Sequence, residues 1–189
     1  MARETLHPRL ILAVAAVATA AFVLSGCTTE DPAPVPASDT SPVAPVFASD
    51  EEALAAAEEA YAAYQKTSDA ILGDGGKEPD RLLEFATKKQ YEIELEGYKQ
   101  IGIDGFHGVG RSRFDTASLE KFDASGGQPV VSVYLCVDIS ELDVRDRHDK
   151  SVVDKDRVDR SPVEVTFDYD GGALLVSSRS AWSGANFCL

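Results

Sequence analysis

The chain has 189 residues, with 32 acidic against 18 basic side chains and a formal net charge of -14. A surface this acidic repels nucleic acid and anionic lipid headgroups, so neither is expected as a partner. The length corresponds to about one domain once any targeting segment is removed.

Arg3 and Arg9 precede an apolar run over residues 10–24, which ends in Leu24-Ser25-Gly26-Cys27. A run of 15 residues falls short of the roughly 20 that span a bilayer, and no basic stop-transfer cluster follows it. The order is that of a lipoprotein signal peptide over residues 1–26. Small residues lead up to Cys27, whose thiol can take a diacylglyceryl group before a peptidase cuts in front of it. The expectation is a lipid anchor at Cys27 on the extracytoplasmic face of the cell membrane. With no polybasic patch nearby, the acyl chains must supply the attachment, at about 0.8 kcal/mol per buried methylene.

Residues 27–48 form a spacer. Pro32, Pro34, Pro36, Pro42 and Pro45, five of the nine prolines, alternate with Ala, Ser, Thr and Val. Such a tract has too little apolar surface to fold and is expected to be a disordered, semi-extended linker reaching at most about 65 Å. The globular domain is placed at residues 49–189.

Ser49 with Glu52 three residues later is a capping box, and Leu54, Ala57, Tyr61, Tyr64 and Ile71 then form one stripe at helical spacing. Gly73-Asp74-Gly75-Gly76 stops this helix. Pro79 opens a short second helix that buries Leu82, Leu83 and Phe85. Thr87 and Gln90 repeat the capping pattern, and Tyr91, Leu95 and Tyr98 give a third helix its buried side to about Ile101.

From Gly105 the period becomes alternating. A first strand is expected over residues 106–114, bent at Gly108 and Gly110. Over residues 129–139, Val131, Val133, Leu135, Val137 and Ile139 share one face, and Ser132, Tyr134, Cys136 and Asp138 the other. Residues 141–160 are dominated by charge and allow at most a small hairpin. Val163, Val165, Phe167 and Tyr169 alternate before Asp170-Gly171-Gly172, which turns the chain into a last strand over residues 173–182. Helices first and antiparallel strands after is an α+β order, with N-terminal helices packed on a curved antiparallel sheet. Because Cys27 is consumed by the lipid, Cys136 and Cys188 remain as an even pair outside the cytoplasm. A disulfide between them is worth about 4 kcal/mol in the chain-entropy account.

Three helices followed by such a sheet resemble the NTF2-like, cone-shaped fold. Residues 50–189 also resemble a group of short actinobacterial lipoproteins of unknown function. Tyr61-Ala62-Ala63-Tyr64, Tyr134-Leu135-Cys136-Val137-Asp138 and the end Ala181-Trp182-Ser183-Gly184-Ala185-Asn186-Phe187-Cys188 carry that resemblance. It implies the location and the fold, and it pairs the same two cysteines. It implies no activity.

The chemistry is sparse. No cofactor or metal is expected: His107 and His148 lie in different segments, and Asp143, Asp146, His148, Asp149 and Asp154 match no EF-hand spacing. The strand serines lack a nucleophile elbow. An Asp/Tyr pair, from Asp138 or Asp168 with Tyr64, Tyr91, Tyr98 or Tyr134, keeps open a small isomerase or hydratase. Arg111, Arg113 and Arg179 are either an anion site or surface ion-pair partners. The favoured expectation is a non-catalytic binding or interaction module for a small apolar ligand or an envelope protein. Its pocket would be lined by Tyr61, Tyr64, Tyr91, Leu95, Tyr98, Val133, Phe167 and Trp182.

Overall fold

The computed structural model describes residues 46–125 and 128–188. The signal peptide, Cys27 and the linker up to residue 45 lie outside the described residues. No helix among the described residues is long and apolar enough to cross a membrane.

Helix α1 (Asp50–Gly73) starts where Ser49 accepts the Glu52 N–H at 3.3 Å, while the Glu52 carboxylate takes the Ala48 N–H at 2.6 Å. Ala53, Ala57, Tyr61, Tyr64 and Ile71 are buried at helical spacing, and Leu54, expected in the stripe, is only half-buried beside them. The helix ends in a tight turn through Gly75 and Gly76, both at positive φ. A Cβ on Gly76 would lie 2.1 Å from the Tyr98 carbonyl, so only glycine lets this turn approach the next helix. A 3₁₀ helix (Pro79–Glu84) buries Leu82 and leaves Leu83 43% exposed. Helix α2 (Lys88–Asp104) is capped by Thr87 and buries Gln90, Tyr91 and Tyr98.

Two antiparallel sheets follow. Strands β1 (His107–Gly110) and β4 (Leu142–Arg145) pair as a small sheet. Strands β2 (Arg113–Asp123), β3 (Val130–Asp138), β5 (Arg160–Asp170) and β6 (Ala173–Ala181) form the main sheet in that spatial order. The single strand expected over residues 106–114 is therefore two strands in two sheets. Gly110 has φ 95° and its missing Cβ leaves room for the Glu141 carbonyl, so the chain breaks direction there. Ser112 then gives its N–H and hydroxyl to the α1 carboxylate of Asp69 at 2.8 Å, which pins the crossover. The charged stretch after β3 likewise does not pair mainly with itself, since its Leu142–Arg145 strand closes on β1. Its carboxylates serve the loop: Asp146 accepts from the backbone of His148 and Lys150, and Asp143 from Ser151 and Arg145.

The core lies between α1, α2 and one face of the main sheet. Val131, Val133, Leu135 and Val137 of β3, with Val163, Val165 and Phe167 of β5, are 0 to 5% exposed on that face. Cys136 points the other way and is buried by its disulfide to Cys188, with Cα atoms 5.6 Å apart. Arg160 reinforces the same tail, donating Nε to the Cys188 carbonyl at 2.8 Å while its Nη groups fork onto Asp115 of β2 at 2.7 and 2.5 Å. Outside this, Trp182 packs at a tilt on Tyr134 with ring centroids 4.7 Å apart, and Phe187 meets Tyr134 edge-on at 6.4 Å.

The bridge spans 52 residues of sequence, so it constrains the unfolded chain by an amount on the order of 4 kcal/mol. Cys136→Ala or Cys188→Ala should lower the melting temperature by roughly 10 °C, and alkylation of the unreduced native protein should find neither thiol. Quantitative labelling of both cysteines before reduction is the outcome inconsistent with the bridge.

Candidate functional site

Several polar side chains converge on a cleft of about 150 Å³ where α1 and α2 meet the edge of the main sheet, lined among others by Tyr61, Tyr64, Ser68, Glu94 and Arg179. Its character follows from one irregularity in β6. Phe167 pairs with Val176 and Thr166 with Ser178, so Ser177 is an extra residue opposite no partner. A bulge of this kind reverses the parity of every side chain beyond it. Leu174 and Val176 face the core before the bulge. After it, the residues opposite the inward Val165 and Val163 are Arg179 and Ala181. Arg179 is thereby turned toward the helices, and Trp182 is turned out.

Arg179 donates Nε to the Tyr61 hydroxyl at 3.1 Å. Among the described residues it makes no ion pair, and its Nη groups have no hydrogen-bond partner. It remains solvent-exposed at the sheet edge even though protein surrounds its charge on most sides. Desolvation disfavours the guanidinium there, while its hydrogen bond to Tyr61 and the nearby Glu94 carboxylate favour it, and its pKa lies above the ordinary value.

Tyr61 stacks at 5.8 Å on Tyr64 and meets Phe114 edge-on at 5.0 Å. Tyr64 donates to Glu94 Oε1 at 2.7 Å, and the same oxygen accepts from Gln90 at 2.9 Å. Ser68 and Tyr98 share a hydrogen bond of 2.8 Å. Burial is the main cause that raises all three tyrosine pKa values: Tyr98 is pushed up to about 12, and Tyr61 and Tyr64 are also raised. Their hydroxyls are therefore neutral donors and acceptors across the physiological range.

Of the residues expected to line a pocket, Tyr61 and Tyr64 reach the cleft and Tyr98 stands behind it through Ser68. Val133 and Phe167 are wholly inside the core, and Leu95 is half-buried against it. Tyr91 points elsewhere, its hydroxyl donating to Asp80. Trp182 lies on the opposite face of the sheet, because the bulge at Ser177 reverses the strand's parity before it. The two aspartates considered for catalysis are also outside the cleft. Asp138 accepts from the Ser140 hydroxyl and backbone, which hold its pKa low, and Asp168 sits at the far end of β5. The carboxylate beside a tyrosine is instead Glu94, on the α2 face next to Gln90 and one turn after it. Arg111 and Arg113 both pair with Glu141, apart from Arg179, so the three arginines do not form one site.

No protein-family model matches the chain, and no curated protein matches it. Solved structures do. The intermembrane space region of the chloroplast protein ARC6 is similar over 69% of this chain and 97% of that one, at 12% identity and a TM-score of 0.52. The two share an α+β fold. More remote is Aln2 from a Streptomyces species, 21% identical over 70% of this chain and 90% of that one, with a TM-score of 0.39.

The raised tyrosines give a pH signature with a definite sign. A folded-state pKa above the unfolded value near 10 means that the stability from keeping Tyr98 neutral is complete below about pH 10 and is lost as pH rises through about 12. Denaturation midpoints should therefore fall between those values, with a smaller fall in Tyr98→Phe. Identical midpoint curves for the two proteins would contradict the assignment.

Proposed function

We propose that the chain is an extracytoplasmic lipoprotein, anchored in the cell membrane through acylated Cys27, whose domain is an NTF2-like cone acting as a non-catalytic binding module. It is a lipoprotein of the short actinobacterial kind that residues 50–189 resemble. Leu24-Ser25-Gly26-Cys27 behind an apolar run supports the anchor, and the proline-rich tract serves as the tether. A disulfide between Cys136 and Cys188 fits a domain that folds outside a reducing compartment.

One observation carries the binding role: hydroxyls, a guanidinium and a carboxylate converge on a solvent-reachable cleft at the helix–sheet junction. A few convergent polar groups in a preformed concavity are what a small-molecule site requires. The cleft is smaller than the roughly 300 Å³ of a drug-sized site and its rim is polar, so a small polar ligand fits it better than an apolar one. Tyr64 beside Glu94 favours a second reading, a small enzyme with a carboxylate and a tyrosine. Against it, Glu94 Oε1 is already spent on Tyr64 and Gln90, and neither donor is positioned by a further acid or base among the described residues.

Cys27→Ala should block both lipid attachment and cleavage in front of residue 27, read by fractionation and intact mass. A Cys27→Ala protein that stays acylated, with its first residue at position 27, would overturn the anchor. For the domain, a library of small neutral and charged fragments should perturb amide resonances around Tyr61, Tyr64 and Arg179. A library that perturbs nothing there would overturn the binding role.

A further inference from the structure

We infer that the cleft is a site for a small monocarboxylate bearing a hydroxyl or ammonium group, its carboxylate held by the Arg179 fork and the Tyr61 hydroxyl. This rests on the reading of the domain as a binding module and names the ligand class of that module.

The donors are already aimed. Arg179 uses Nε on Tyr61, which leaves both Nη groups without a partner among the described residues. Tyr61 receives that bond on its oxygen, so its own proton is available to donate, and burial keeps that proton in place. A planar guanidinium with an adjacent O–H matches the two oxygens of a carboxylate. An arginine turned onto the core-facing side of a strand is costly unless its charge is paired or hydrated. Here an exposed edge position supplies the hydration that a ligand carboxylate can replace.

The same cleft also limits the charge of the ligand. Glu94 lines it beside Tyr64, and Asp69 lines it as well, its two oxygens held by Ser112. A doubly charged sulfate or phosphate would meet both carboxylates, whereas a single carboxylate at Arg179 meets them less. Glu94 takes its two bonds on Oε1, leaving Oε2 without a partner among the described residues. That oxygen suits a hydroxyl or ammonium on the same small molecule. A volume of about 150 Å³ admits a molecule of a few heavy atoms and no more.

The test uses the full chain in detergent micelles, followed by NMR at the Arg179 Nε and cleft amides, with glycine, glycolate, acetate, glycinamide and sodium sulfate as probes. Glycine and glycolate should bind saturably and more tightly than acetate, sulfate should bind more weakly than acetate, and glycinamide should not bind. Arg179→Met should weaken glycolate by about tenfold to a hundredfold, and Glu94→Gln should remove the advantage of glycine over acetate. Arg179→Lys retains charge and stem, so it covers a failure of the Met variant to fold, and it should still lose affinity because the fork is gone. Sulfate binding as tightly as acetate, or an affinity for glycolate unchanged in both Arg179 variants, would sink the proposal. If neutral fragments occupy the cleft and no carboxylate does, this proposal fails and the binding module stands. If nothing occupies it, both fail.

Discussion

One extra residue in β6 sets the character of both faces of the main sheet. Up to Val176 the strand alternates in step with β5, and its apolar side chains fill the core. Ser177 then has no partner opposite, and the parity beyond it is reversed. Were the ladder continuous, Ser178 and Ser180 would face the helices and Arg179 would join the solvent side. The bulge instead places a cation where α1 presents Tyr61 and Tyr64, and it sends Trp182 outward to pack on Tyr134. A polar cleft on one side and an aromatic cover on the other are thus two results of a single backbone irregularity.

The outer cover and the cleft are also linked through the sheet edge. Trp182 packs on Tyr134, and the backbone at Gly184 lies so close to the indole that a Cβ there would come within 2.4 Å of it. A side chain there would have to displace the indole from its place on Tyr134. Arg160 then ties the Cys188 carbonyl to Asp115 on the opposite edge strand, so the tail is held by a covalent bond and by a charge-assisted fork. These ties fix the end of β6 just past Arg179. The guanidinium therefore sits on a strand clamped at both ends, with the β5–β6 turn before it and the disulfide tail after it, and its place opposite Tyr61 does not depend on the side chain alone.

Much of this was legible in the sequence. Both helix caps, the alternation of β3 and β5, the Gly171-Gly172 turn and the cysteine pair each follow from local chemistry of known period. What was not legible has specific causes. Strand β2 was missed beyond Phe114 because its residues 115–123 lack clean alternation, and the structure shows why: two register shifts, with Thr116 at positive φ, interrupt its pairing with β3. Placing Trp182 in the pocket assumed that β6 keeps its period to the end. The contrary signal was present, since Leu174 and Val176 are followed at the same parity by Ser178 and Ser180, a switch from apolar to polar that a bulge explains. The Tyr64–Glu94 pair carried no such mark, because a glutamate on an otherwise charged helix looks like a solvated residue until the partner helix is in place.

Physical considerations also determine where such a cleft can lie. A guanidinium facing the middle of β5 or β3 would be enclosed by Val133, Val165 and Phe167, with neither water nor a partner to offset desolvation. At the edge strand the same inward direction leaves one side open, so Arg179 can face the core-side tyrosines and still be hydrated. The tyrosines complete the compromise. Their rings extend the apolar packing of α1 onto Phe114, while their hydroxyls end at the cleft, where Arg179 and Glu94 satisfy them. The polar groups are thus arranged along the boundary of the core, where each can be paired internally yet remain within reach of a molecule arriving from solvent.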